Sequence, residues 1–322
     1  MGGGGGNPLP WNNNYTYKIN DVCVHNGELW HASKENINIE PGTNYNYWNV
    51  TYSNKNLLDN WDFTNVVNQR GTTLNHNTGY WLDRWVCGNN NPSSAKYTIN
   101  SNGVTLSRNS GDITTNVHMI QRLESPSVEG QTLTASVIMG DGSIYAGTAT
   151  LVKSFDNSFF FSISNTLNVF YQLYDKDGIK NSGFQFVINN ICEISGVKDS
   201  FTVKAVKLEF GKVSTIANDI LGISYKEELY KCQRYYCRVN KMRVKGDITA
   251  NSMIIHPIQF PVPMRIAPSS GLNKLLSGLS GINVSIGNVQ SNQFCDLIVE
   301  STLSYNASYD CGFEYIDFSA DL

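Results

Sequence analysis

The stretches Gln131–Met139 (QTLTASVIM) and Phe201–Phe210 (FTVKAVKLEF) decide the fold of this chain. Both carry alternating or continuous apolar runs of strand length, the pattern of side chains that return to one face of a pleated strand every second residue. Similar runs follow at Tyr145–Val152, Phe159–Ile163, Asn168–Tyr174 and Gly183–Ile188. Turn-forming residues punctuate them at Asp141-Gly142, Asp175-Lys176-Asp177-Gly178 and Asn181-Ser182-Gly183. Strands at this spacing, with no helix between them, predict a β-sandwich or jelly roll centred on residues 55–212.

On either side of that domain, assigned to residues 53–222, the pattern changes. Residues 9–52 form a small aromatic module in which Asn26-Gly27 separates Val22-Cys23-Val24 from Leu29-Trp30. Asn-Gly tolerates positive φ at both turn positions and so predicts a hairpin, here within a three-stranded sheet. So short a module buries little apolar area and relies on its aromatics. Downstream, YKEELYKCQRYYCR (Tyr225–Arg238) places Tyr225, Leu229, Cys232 and Tyr236 on one face of a short helix and leaves Glu227, Glu228, Lys231 and Arg234 to solvent. Acidic residues lead and basic ones follow, in accord with the helix dipole. This helix links the sandwich to a C-terminal β domain, the two together spanning 223–322. Within that domain Pro261 and Pro263 flank Val262 in FPVPMRIAPS (Phe260–Ser269), which suits an edge strand or a loop.

Composition narrows the function. With 24 basic and 27 acidic residues among 322, the net charge is -3, and no basic field for nucleic acid or anionic lipid is expected. Charged residues make up only 16%, so the surface is largely neutral and polar, a chemistry that suits sugars and is also common in turn-rich β proteins. The seven cysteines are scattered without a C-x-x-C pair, which argues against zinc and for synthesis in a reducing compartment. The opening MGGGGGNPLP lacks the basic and apolar regions of a secretory signal, and residues 1–8 read as a flexible Gly-rich linker or a cloning remnant. No apolar run approaches the length that spans a bilayer, so no membrane insertion is expected.

The N-terminal module resembles the carbohydrate-binding modules appended to chitinases and cellulases, through Trp11, Tyr17, Asp21, Val22, Gly27, Trp30, Ala32, Glu40, Pro41, Gly42 and Trp48. Where chitin-binding relatives often carry an aromatic immediately before the Glu-Pro pair, this chain has Ile39, which speaks against chitin itself. The resemblance makes Trp30, Tyr45, Tyr47 and Trp48 candidate sugar-stacking residues, since an aromatic face can meet the apolar side of a pyranose. Trp11, Trp30 and Trp48 equally suit the core of so small a module. Further along, NLLDNWDFTNVVNQRG (Asn56–Gly71), GYWLDRW (Gly79–Trp85) and VKLEFGKVST (Val206–Thr215), followed by the helix, resemble the carbohydrate-binding-like jelly roll of many bacteriophage tail fibres. The Pro-Met-Arg block (Pro263–Arg265) and the terminal Ser319-Ala320-Asp321 are similar to features of fibre tips. This resemblance implies a homotrimeric receptor-binding protein of a phage or prophage, made in the bacterial cytoplasm and carried on the virion beside other tail or baseplate proteins. Its ligand would be a host cell-surface glycan. A second candidate patch is Trp81, Asp83 and Trp85. No cofactor is implied, and a structural calcium stays open.

Catalytic chemistry finds little support. His25 and His31, two of five histidines, lie across a hairpin rather than at metal-ligand spacing. Asp175-Lys176-Asp177-Gly178 has its glycine too early for a calcium loop and Phe186 where the bidentate Glu belongs. A glycan hydrolase needs two carboxylates across the scissile bond, and Asp59, Asp62 and Asp83 are the candidates for such a pair. There is no G-x-S-x-G and no Gly-rich phosphate loop. Binding without catalysis is the favoured reading. A fibre-borne depolymerase and an accessory region of a secreted glycoside hydrolase are the alternatives.

Overall fold

Val117–Leu123 shows how alternation becomes architecture: Val117, Met119, Gln121 and Leu123 are buried, and the residues between them are half-buried. The computed structural model describes residues 8–71, 79–89, 91, 93–112, 114–123, 130–150, 158–163, 167–174, 183–190, 200–219, 221–222, 225–277, 280–287 and 292–321. There the strand lies fourth in a six-stranded sheet of order Ser158–Ile163, Leu167–Tyr174, Gly183–Asn190, Val117–Leu123, Trp85–Asn89, Gly79–Leu82. A five-stranded antiparallel sheet has the order Ile144–Thr150, Thr132–Met139, Ser200–Phe210, Gly103–Ser107, Lys96–Asn100. Rings from the two sheets meet, with the centroids of Trp81 and Tyr97 5.3 Å apart. The Tyr97 hydroxyl donates to the Gly88 carbonyl at 2.5 Å, satisfying the polar tip of a fully buried ring. The result is mainly β and sandwich-like. The turns expected at 175–178 and 181–183 fall on residues of which all but Gly183 lie outside the described set.

Asn56–Phe63 runs along Ser200–Phe210 without forming a regular strand. Leu57 donates to the Leu208 carbonyl, Val206 to that of Trp61 and Phe63 to that of Lys204. The Asn56 side chain accepts from Leu208 N–H at 3.1 Å and donates to the Val206 carbonyl at 2.9 Å. Buried Gln121 accepts from Asp59 N–H at 2.7 Å and donates to the Asp59 carbonyl at 2.6 Å.

In the N-terminal module, Val22–His25, Glu28–Ala32 and Trp48–Val50 form a three-stranded sheet. Its first turn has φ of 52° at Asn26 and 82° at Gly27, the positive values an Asn-Gly hairpin turn requires. Thr16–Tyr17 and Asn36–Ile37 pair beside it. Tyr17, Cys23, Trp30, Ala32, Tyr45, Trp48 and Val50 make its core, against which Ile144, Ala146 and Val213 also pack. Asn46 exchanges two hydrogen bonds with the main chain of Ile144, at 2.8 and 3.1 Å. Residues 9–52 and most of 53–222, read from sequence as separate domains, fall in one compact unit of Met1–Val66, Thr72–Trp81 and Trp85–Ile223.

The second unit comprises Val67–Gly71, Leu82–Arg84 and Ser224–Leu322. It holds the helix, at Tyr225–Gln233, whose exposure differs from the expected stripe. Tyr225 is 44% exposed, whereas Glu228 is buried and pairs with Lys231 one turn on. Tyr236 has left the helix for the strand Tyr236–Asn240. The long strand Ala307–Ser319 pairs with that strand, with Arg243–Ile248 and with Ser269–Ser277. A second sheet has the order Met253–Gln259, Phe294–Ser301, Ile282–Gly287. Leu297, Val299, Phe313, Ile316 and Phe318 belong to the shared core. The proline-flanked segment 260–268 is a loop.

Replacing Gln121 by Leu keeps the bulk but removes both bonds to the Asp59 main chain. The expected loss is about 1–3 kcal/mol of unfolding free energy, measured by urea denaturation. An unchanged midpoint would refute the role given to this side chain.

Candidate functional site

Most of the aromatic rings singled out from the sequence are structural. Trp30 is 2% exposed and its indole N–H donates to the His25 carbonyl at 3.3 Å. Trp48 is fully buried and donates to the Ile39 carbonyl at 2.7 Å. Tyr45 is 8% exposed, and its hydroxyl oxygen accepts from Ser214 N–H at 3.1 Å. A buried ring has no face to offer a sugar, so these three are corrected to core residues. Tyr47 is half-buried, with the Lys34 ammonium 5.7 Å from its ring centroid.

The second patch is also reassigned. Trp81 and Trp85 are fully buried in the sandwich-like unit, where Trp85 donates to the Asn60 carbonyl at 2.9 Å. Asp83 belongs to the other unit and is equally buried. Its carboxylate accepts from Gln69 N–H at 3.1 Å and from the Gln69 side-chain amide at 2.9 Å, with Arg70 Nε at 3.6 Å. Burial outweighs these partners and pushes its pKa up to about 6. The Asp62 carboxylate is committed to the fold, accepting from the main chain of Thr64 and Gly222, and the main chain of Asp59 holds Gln121. Among the described residues, no three His, Cys, Asp or Glu side chains gather as a metal set.

An open groove of about 420 Å³ lies at the end of the five-stranded sheet, where the turn between Thr132–Met139 and Ile144–Thr150 meets Asn102 and the start of Ser200–Phe210. Its volume is within the range of small-molecule sites. Hydrogen bonds fix the turn: Gly140 N–H donates to the Thr202 carbonyl at 2.8 Å, and Asn102 Nδ2 donates to the Gly140 carbonyl at 2.9 Å. A Cβ at Gly140 would lie 2.9 Å from Thr202 Cβ, so glycine permits this approach. Asp141 Oδ1 accepts from Ser143 N–H at 2.9 Å and from its hydroxyl at 2.6 Å, an Asx turn that sets the carboxylate in the wall. Buried Met139 and Phe201 give apolar lining, Asn102, Ser143, Ser200 and Thr202 give amide and hydroxyl groups, and Tyr145 contributes a ring 39% exposed.

This combination presents an aromatic face beside neutral donors and acceptors on a hydrogen-bonded frame. Sequence reasoning marked Asp141-Gly142 only as a turn. The further signal was Ser143 and Tyr145 directly after it, but Asn102 and Ser200–Thr202 join them only through strand pairing. Comparison with known protein families, curated proteins and solved structures finds none that matches this chain.

The raised Asp83 pKa gives a signed prediction. Because the folded value of about 6 lies above the unfolded value of about 3.9, this group's stabilising contribution is full below the lower value and is lost as pH rises through the upper one. Asp83→Asn removes that ionisation. Its stability relative to the parent should therefore rise by about 2 kcal/mol between pH 4 and 7, a window set by those two values. A difference independent of pH in denaturation series would contradict the assignment.

Proposed function

We propose that this chain is a non-enzymatic receptor-binding protein of the bacteriophage tail-fibre kind, which attaches to polysaccharide on the host cell surface through the groove around Tyr145. The observation that carries the reading is the exposed Tyr145 ring set among Asn102, Asp141, Ser143, Ser200 and Thr202. A pyranose stacks its apolar face on such a ring and directs its hydroxyls to the amide, hydroxyl and carboxylate groups around it. The resemblance of Asn56–Gly71, Gly79–Trp85, Val206–Thr215 and the helix block to fibre proteins supports a jelly-roll assignment for the sandwich. It also supports a place on the virion beside tail or baseplate proteins.

One open groove binds weakly. Attachment then comes from several copies acting together, and a homotrimer raises the effective concentration of the second and third sites without any new contact. No metal or catalytic carboxylate pair is needed for this role.

Tyr145→Ala should leave the circular dichroism spectrum unchanged and weaken adsorption to host cells at least tenfold. Undiminished adsorption would remove the groove from the reading. Light scattering at micromolar concentration should give three times the 35.8 kDa chain mass, and a monomer mass would end the trimer proposal.

A further inference from the structure

We propose that Lys207 and Asp219 condense into an isopeptide bond, a covalent cross-link within the sandwich-like unit that the folded chain forms without a co-reactant. Lys207 Nζ lies 2.8 Å from Asp219 Oδ1, and the two side chains are 0% and 12% exposed. The Ser53 hydroxyl touches both partners, accepting from Lys207 Nζ at 3.1 Å and donating to Asp219 Oδ1 at 2.7 Å. An amine and a carboxyl held in this way react with the high effective concentration that fixed geometry gives. An ordinary ion pair leaves part of the arrangement unexplained. Asp219 Oδ2 is buried and has no hydrogen-bond partner among the described residues. An anionic oxygen there carries a desolvation cost that an amide carbonyl largely avoids, and the bond removes both buried charges at once. Glu209, two residues along on the same face of the strand, is the competing carboxyl. Its two oxygens are taken by the N–H and the hydroxyl of Thr215, at 2.8 and 2.6 Å.

The Lys207 ammonium first gives one proton to Oδ1, which turns the ion pair into an amine and a carboxylic acid. The nitrogen lone pair then adds to Cγ, one bond beyond Oδ1, and the C–N bond forms. A second proton passes from nitrogen through the Ser53 hydroxyl to Oδ1, and the Cγ–Oδ1 bond breaks. Water departs on the side where Ser53 is exposed. Oδ2 becomes the amide oxygen, one hydrogen stays on the nitrogen, and nothing is oxidised or reduced. The product closes 207–219 into a ring. It secures the segment that carries Val213 and Ser214 to the N-terminal module, so that this segment cannot peel away from the strand that precedes it.

Mass spectrometry of the full chain, denatured after incubation at neutral pH, tests the bond. The chain should be lighter by one water than its sequence after allowance for removal of Met1, with residues 205–212 and 213–226 joined in one branched tryptic peptide. Trypsin should not cut after Lys207, because the amide removes the charge it recognises. Lys207→Arg, whose guanidinium stays protonated and cannot be acylated, should carry its full sequence mass. A parent chain of full sequence mass, with 208–212 and 213–226 recovered as separate linear peptides, would overturn the proposal whether or not the variant folds. Loss of water with linear peptides alone would overturn it as well, since a succinimide at an aspartate gives the same change in mass. A branched peptide that persists in Lys207→Arg would show that another amine is joined and would overturn the assignment.

Discussion

Asp83 has no exposure to solvent, and a carboxylate in that position is tolerated only where donors and a counter-charge surround it. Gln69 supplies two donors, and Arg70 stands on the opposite side, where it also pairs with Asp321 at 2.5 Å. The Arg70 guanidinium lies 3.8 Å from the Tyr236 ring centroid, and the Gln69 amide donates to the Tyr236 carbonyl at 2.9 Å. Arg238 accordingly has defined neighbours: a two-toothed pair with Asp317 at 2.7 and 3.0 Å, the Arg70 carbonyl at 2.8 Å and the Tyr315 ring at 3.9 Å. Arg84 lies 3.4 Å from the centroid of Tyr235. Tyr235 accepts from Ala320 N–H, and Arg265 donates to the Ala320 carbonyl at 3.1 Å. Five short pieces of chain, 67–71, 82–84, 234–238, 263–265 and 319–321, are thereby joined in one unit. Each such contact raises the cost of leaving any other member unpaired.

A similar economy governs the outer face of Ser200–Phe210. Lys207 and Glu209 point away from the apolar side chains of their strand and yet are fully buried, because the chain after Gly211 returns over them. Lys207 donates to Asp219 at 2.8 Å and to the Ser53 hydroxyl at 3.1 Å, while Glu209 accepts from Thr215 N–H at 2.8 Å and from its hydroxyl at 2.6 Å. That return brings Val213 and Ser214 to the N-terminal module, where Tyr45 receives the Ser214 bond. The small module therefore supplements its few apolar residues with a neighbouring surface, consistent with the limit on how much a chain of that size buries alone.

These networks explain what was legible in the sequence. Long strands such as Thr132–Met139 and Ser200–Phe210 announce themselves because one face of each is packed along its length. Short ones did not: Gly79–Leu82, Trp85–Asn89, Lys96–Asn100 and Gly103–Ser107 have four or five residues, too few for a period of two to stand out from turn-rich surroundings. The helix was legible as a helix but not in its exposure, since its periodicity does not reveal that Lys231 offsets the charge of Glu228. Trp30, Trp48, Trp81 and Trp85 drew a functional reading through their size and their likeness to sugar-binding aromatics. Size is also what places them in the core, and each indole N–H whose bond is traced ends on a main-chain carbonyl.

The division of labour between buried and exposed residues bears on which surfaces are free to vary. The blocks Asn56–Gly71, Gly79–Trp85 and Val206–Thr215 are occupied in holding strands, covering Lys207 and Glu209, or gathering around Asp83. A residue fixed by three or four internal contacts cannot also change with the ligand without unsettling the fold. Specificity is more freely altered on a turn whose main chain is held by its own bonds while its side chains face outward. The 139–145 segment meets that description: the main chain of Gly140 is tied to Thr202 and Asn102, whereas Tyr145 and Asp141 stand exposed beside the groove. Substitutions there can change the surface of the groove and leave the sandwich intact, the arrangement expected when a rigid scaffold carries an adaptable surface.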